Sequence, residues 1–179
     1  MSEGKRLYVI SMVFMGIAIG VYYVFVVRVK NQWLGLYPMS FSVWDIVWIA
    51  CGICASLGIL WVFLVFLPRE QVSSPYVRFF ADSFDVSHMA VFFLINAIAE
   101  ELLFRGVLQY YVGVVLASVI FTFVHIAYYT KPWILIEVFI QGLVLGVLYE
   151  ISESLWVCII CHTSFNCCVV WLIRKRYIS

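Results

Sequence analysis

Charge is what this chain lacks most. Of 179 residues only 21 are Lys, Arg, Asp or Glu, and the net charge is +1. A soluble domain carries about a quarter charged residues, so a soluble globular fold is excluded. With so little excess of either sign, neither a nucleic acid nor an acidic partner is implied. Proline and histidine are also scarce, at four and three residues. No His-Glu-x-x-His pair occurs, so the helix-borne zinc site of the common metalloproteases is absent. There is no internal repeat, low-complexity tract or composition break, which points to one integral membrane domain over 1–179.

What is present in excess is apolar. Hydrophobic residues make up 65% of the chain, with 15 Phe, 11 Tyr and 7 Trp. Runs of about 20 apolar residues span a bilayer as helices, and aromatic side chains populate its two interfaces. The expectation is an all-α polytopic membrane helix bundle of about six transmembrane helices. The spans read as 7–27, 44–67, about 86–111, about 113–128, 133–149 and 155–173. Gln109 to Val112 reads as a short turn between the third and fourth. Residues 31–43, with Trp33, Tyr37 and Pro38, read as a loop or interfacial segment. Residues 71–85 form the longest polar connection, with room for a short amphipathic turn.

The first run has the charge pattern of a signal peptide, but it lacks a small-residue cleavage site and ends in Arg28 and Lys30, so a retained helix is expected. Gly16 with Gly20, and Gly142 with Gly146, are small-residue steps that allow close helix contact. The six cysteines include two Cys-x-x-Cys pairs, Cys51/Cys54 and Cys158/Cys161. All lie in apolar runs, where free cysteine acts as a small hydrophobe, and they are read that way rather than as metal or redox sites. With six spans both termini share one side, together with Lys5, Arg6, Arg69, Arg78, Lys131, Arg174, Lys175 and Arg176. Arg28 and Lys30 lie on the other. The excess of basic residues places both termini in the cytoplasm, in a multi-pass protein of the cell membrane.

Polar side chains inside the spans are few and therefore informative. Glu100, Glu101 and Arg105 lie within Ala99-Glu100-Glu101-Leu102-Leu103-Phe104-Arg105-Gly106. Each charge at bilayer depth costs about 2.5–3.5 kcal/mol or more. Glu101 and Arg105 are four apart with the acid first, the favourable order for a helical ion pair. Asn96 and Glu100 form a second stripe in which Glu100 has no cation four residues away. That leaves Glu100 for proton transfer, the work of a general acid or base. Phe121 and His125 share a face in the fourth span, and His162 and Asn166 share one in the sixth. Glu100, His162 and Asn166 all fall near mid-depth, so three helices can bring a carboxylate, two imidazoles and an amide to one polar cavity. Glu137 and Gln141 share a face of the fifth span, where they either line the cavity or cap the helix; a structural role is favoured. His88 and Asp85 read as interfacial.

The set Glu100-Glu101-x-x-x-Arg105, Phe121-x-x-x-His125 and His162-x-x-x-Asn166, each on its own apolar span, resembles the CAAX-protease and bacteriocin-processing (CPBP, or Abi) family, which includes the type II CAAX prenyl endopeptidases. The stretch from Gln141 to Tyr149, followed by Ser154-Leu155, resembles the link between that family's later motifs. The motif-bearing core is about 86–173. The resemblance implies a glutamic-type intramembrane endopeptidase. Glu100, aided by His125, would activate water, and His162 and Asn166 would hold the oxyanion. Glu101, Arg105, Phe121 and Asn96 would support the site. No metal or cofactor is expected. Zinc is the alternative, since two histidines and a glutamate could bind it with an open position; Asn166, a poor zinc ligand, stands where a third ligand would be wanted. The expected partners are the lipid bilayer and a membrane-anchored peptide or protein substrate. The chain is shorter than larger relatives, with two spans before the acidic motif. The loop charges put the Arg105 end of the third span outside the cytoplasm, whereas a prenyl-CAAX protease would open to the cytosol. On that ground a role in bacteriocin maturation or immunity, peptide signalling or sorting is favoured over CAAX processing. Two rivals are a non-enzymatic immunity or scaffold protein on the same fold and a small proton channel or transporter.

Overall fold

The computed structural model describes residues 3–30, 35–36 and 41–178. Helix is the only regular secondary structure among them. This follows from the composition, because a chain in lipid must satisfy its backbone groups internally. Helix α1 covers Glu3–Tyr22 and runs on through π-helical Tyr23–Val27 and Arg28–Lys30. Helix α2 is Val43–Phe66, and its start is fixed by a capping box in which Ser42 and Asp45 exchange side-chain and backbone bonds. Such a box satisfies two otherwise orphaned donors. The polar connection holds a nine-residue helix, α3, at Pro75–Ser83. Most of the 31–43 segment, including Trp33, Tyr37 and Pro38, lies outside the described residues.

Helix α4 begins at Val86 and is capped by Asp85, whose carboxylate accepts from the backbone and ring of His88 and from Ser87. Those bonds hold the exposed Asp85 carboxyl at about 2, well below its ordinary value. The pair forms the cap that starts α4. From Leu102 to Gln109 the helix is π-helical. No turn occurs over 109–112, contrary to expectation; the reversal is at Gly113, with φ 78° and ψ 170°. That region is open essentially to glycine alone. Beyond it α5 occupies 114–123. By length and apolarity Val86–Phe123 counts as one of five candidate membrane spans, but it is folded back on itself. A straight helix would put Phe104 and Phe121 about 25 Å apart, whereas their rings are 4.9 Å apart. Helix α6 is Pro132–Ser152 and α7 is Leu155–Arg174. With that span folded in two, the described residues make six helical passes, α1, α2, α4, α5, α6 and α7.

The fourth pass is shorter than expected. Its α-helix stops at Phe123, and a 3₁₀ turn covers Ile126–Tyr128. Ten residues of helix rise about 15 Å, half of a typical hydrocarbon core. Irregular backbone at that depth is tolerated where it lines a cavity, and it does so here.

The two glycine steps behave differently. A Cβ at Gly146 would sit 2.7 Å from Val114 Cγ1, and one at Gly142 would sit 3.1 Å from Ser118 Cβ, so α6 and α5 approach as the step predicts. At Gly16 and Gly20 a Cβ would meet nothing within 4 Å. The helix-contact reading of that pair is therefore corrected. Helix α1 instead packs through Ala18, Tyr22 and Val26 against Ala99, Leu102, Leu155 and Ile159. Gly106 accommodates the Tyr22 ring, which would lie 2.7 Å from a Cβ there.

Hydrogen bonds between elements fix the two ends of the bundle. At one, Tyr8 Oη donates to the His88 carbonyl, Lys131 Nζ to that of Glu70 and Arg174 Nε to that of Ala81. At the other, Tyr111 donates to Phe25, Gln109 to Glu150 and Trp156 to Leu36. Both termini thus lie at the first end, as the alternation of passes requires. All six cysteines are free thiols.

Candidate active site

The acidic motif sits where α4 changes to π-helix, and its two glutamates point to different surroundings. Glu101 is fully buried. Its Oε2 lies 3.2 Å from Arg105 Nε, so the expected i,i+4 pair is formed. Its Oε1 lies 2.7 Å from His162 Nδ1 on α7. The ring nitrogen is the donor there, because an ionised carboxylate only accepts. Arg105 also donates from Nη2 to the Gly142 carbonyl on α6, at 3.2 Å. Glycine at 142 makes room for Ser118 on α5, whose Cβ would lie 3.1 Å from a Cβ there. The guanidinium lies over the Phe121 ring, 4.7 Å from its centre, an attractive cation–π placement. One buried arginine thereby ties α4, α5 and α6 together, while Glu101 adds α7.

Glu100 faces the other way and is one-fifth exposed; its Oε2 is 3.7 Å from His162 Nε2. His162 thus stands between the two glutamates, held on one nitrogen and presenting the other. Phe121 packs edge-on against His125 at 4.6 Å and His162 at 6.2 Å. His125 lies past the end of α5 rather than within it. Its Nδ1 donates to the Phe121 carbonyl at 2.7 Å, which leaves Nε2 as the free nitrogen. Tyr128 stacks on the ring from the far side. The bend that ends α5 early is what turns His125 inward. Proline and glycine, the usual signals of a break, are both missing from Phe121-Thr122-Phe123-Val124-His125.

A cavity of about 620 Å³ joins these groups; Glu100, His125, His162, Asn166, Phe121 and Asn96 all line it. The Asn96 amide bonds Ser11 Oγ and the Phe92 carbonyl, not Glu100, so the Asn96–Glu100 stripe shares a cavity wall without a direct bond. Gln141 and Glu137, read as structural, line the cavity as well, with Gln141 donating to the Ser56 carbonyl. Ser56 and Tyr128 carried no signal in the sequence, since neither belongs to a spaced pair of polar residues. Among the described residues no group of three His, Cys, Asp or Glu side chains is placed to hold a metal ion.

The cavity runs toward Val72, Ser74, Val77, Tyr128, Ile134 and Ile173. These residues belong to the end of the bundle that carries both termini. The sequence pointed to a conflict because the Arg105 end of α4 lies on the basic-poor side. The cavity lining includes Phe92 and Phe93, on the α4 turns toward the end that carries the termini, and does not include Arg105.

Residues 82–168 match the family described as type II CAAX prenyl endopeptidase Rce1-like. The chain is also similar to the Uncharacterized protein YpbD of Bacillus subtilis (strain 168), with 34% identity over 93 residues. That match covers 52% of this chain and 49% of YpbD, so the chain spans about half the length of its curated relative. No solved structure matches. The matched segment contains Glu100, Glu101, Arg105, Phe121, His125, His162 and Asn166, whereas Ser56, Val72, Ser74, Val77 and Ile173 of the cavity wall lie outside it.

Proposed function

From the Rce1-like character of residues 82–168, we propose that this protein is an intramembrane endopeptidase of glutamic type, a single integral membrane domain that hydrolyses a peptide bond in a membrane-associated peptide or protein. Glu100 takes a proton from water as it attacks the scissile carbonyl, and returns it to the amide nitrogen as the tetrahedral intermediate collapses and the C–N bond breaks, releasing the amine. His125, through its free Nε2, positions that water. The new oxyanion is held by the Nε2–H of a doubly protonated His162, whose charge Glu101 balances from the Nδ1 side, and by the amide N–H of Asn166. Donors of this kind are usually the largest single contribution to such a reaction, and losing one costs about 10²–10³ in rate. Glu101 and Arg105 position rather than react; they fix the ring of His162 from behind, as a carboxylate orients a catalytic histidine elsewhere. The cycle uses no metal. The basic residues at the end that carries the termini support a cytoplasmic mouth, from which substrate enters by the cytosolic leaflet.

The observation that carries this reading is the approach of Glu100 to the Glu101-oriented His162 on the wall of a shared cavity. The test is mass spectrometry of membrane peptides from cells with active protein, with Glu100→Ala and with His125→Ala. Wild type is expected to generate fragments that both variants lose, with purified wild type insensitive to 1,10-phenanthroline. Cleavage by purified Glu100→Ala at the wild-type rate overturns the assignment, and a scaffold role would take its place.

A further inference from the structure

The mechanism leaves one acid of the cavity unused. Glu137 is 92% buried, at 8% relative exposure. It lines the cavity wall, and its Oε1 has no hydrogen-bond partner among the described residues. A buried carboxylate without a partner is costly, and native structures rarely keep one without use.

Its neighbours do not relieve it. On its own helix face stand Ile134, Val138 and Gln141, and the Gln141 amide is committed to the Ser56 carbonyl. Cations at the mouth are engaged elsewhere: Lys131 at the Glu70 carbonyl, Arg78 at Ser73 Oγ and Arg174 at the Ala81 carbonyl. None of the described residues that line the cavity is a lysine or arginine; its acids are Glu100 and Glu137. Depth also matters. Arg105 bonds Gly142 across the α4–α6 boundary. Glu100 precedes Arg105 by five residues, as Glu137 precedes Gly142, and both helices run inward from the mouth. At about 1.5 Å per residue, the two carboxylates lie at about the same level on different walls.

We propose that Glu137 is a specificity site which binds a lysine or arginine side chain of the peptide in the cavity. The proposal rests on the peptidase reading for the identity of the occupant. The apolar wall sheathes the methylene stem while Oε1 receives the cationic head, the way long basic side chains divide between apolar and polar surroundings. Because Glu137 is level with Glu100, the basic residue lies close in sequence to the bond that is cut.

The test measures binding, not turnover. Apolar decapeptides carrying one lysine, moved through each position in turn, are titrated into the full-length Glu100→Gln protein in detergent. Norleucine peptides, which keep the stem and lack the ammonium, are the controls. At one lysine position binding is expected to be at least tenfold tighter than its norleucine control. Adding Glu137→Gln should reduce that preference below threefold, while Glu137→Asp retains part of it. Size-exclusion and melting profiles matching the parent show that the isosteric variant is folded. A lysine preference that survives Glu137→Gln, no preference at any position, or no binding at all overturns the proposal. A Glu137-dependent preference alongside Glu100-independent cleavage would sink the catalytic assignment and leave this site standing.

Discussion

At the scale of residues, two adjacent glutamates have opposite fates, and the sequence foreshadowed the split. The i,i+4 spacing of Glu101 and Arg105 predicted the buried pair; the absence of a cation four residues after Glu100 predicted an acid left for other work. Spacing within one helix could not show that His162, 61 residues away, takes the second oxygen of Glu101. The two glutamates should separate in experiment. Arg105→Met leaves Glu101 buried without its cation, and breaking a buried pair costs about 3–5 kcal/mol. Thermal unfolding in detergent should show a large loss of stability. Glu100→Gln keeps its shape on a cavity wall and should melt with wild type while losing cleavage. A wild-type melting profile for Arg105→Met would mean that the guanidinium holds nothing together.

At the scale of elements, the six passes were legible from apolar run length, but their joints were not. Both glycine steps look alike in sequence, yet only Gly142 and Gly146 meet a facing helix, since contact depends on which face the neighbours occupy. The third and fourth passes were separated at nearly the right place. The turn proved to be one residue wide because Gly113 adopts a conformation denied to other residues. The early end of α5 was invisible, because no proline or glycine marks it; local side-chain contacts accompany it, with His125 bonding the Phe121 carbonyl four residues back and Tyr128 stacking on its ring. Gly113→Ala tests the hinge. Nothing lies within 4 Å of a Cβ there, so the cost is conformational alone. Strain of this kind is of order 1–3 kcal/mol. The variant should be destabilised by about that amount, while Gly58→Ala, also with open space around a Cβ but inside α2, should be neutral or slightly stabilising by helix propensity. Equal melting of the two would show that the chain does not need a glycine to reverse.

At the scale of the whole molecule, charge and cavity point the same way. The sequence could count basic residues on each side, eight against two, but could not say where a cavity opens, because that depends on which helices part. Here α5 stops short, and the cavity lining reaches Val72, Ser74, Val77 and Ile173 toward the end carrying Arg69, Arg78, Lys131 and Arg174. Orientation and access are therefore one claim with one test. In a background with the six cysteines replaced by alanine, Glu70→Cys marks the mouth end and Glu153→Cys the opposite end; both native side chains are exposed. In intact cells a membrane-impermeant maleimide should label the residue 153 thiol and spare the one at 70. In inverted vesicles the pattern should reverse. Labelling of position 70 from outside would place the mouth away from the cytoplasm. Substrates would then have to be sought among exported peptides, with the acid–histidine geometry of the site unchanged.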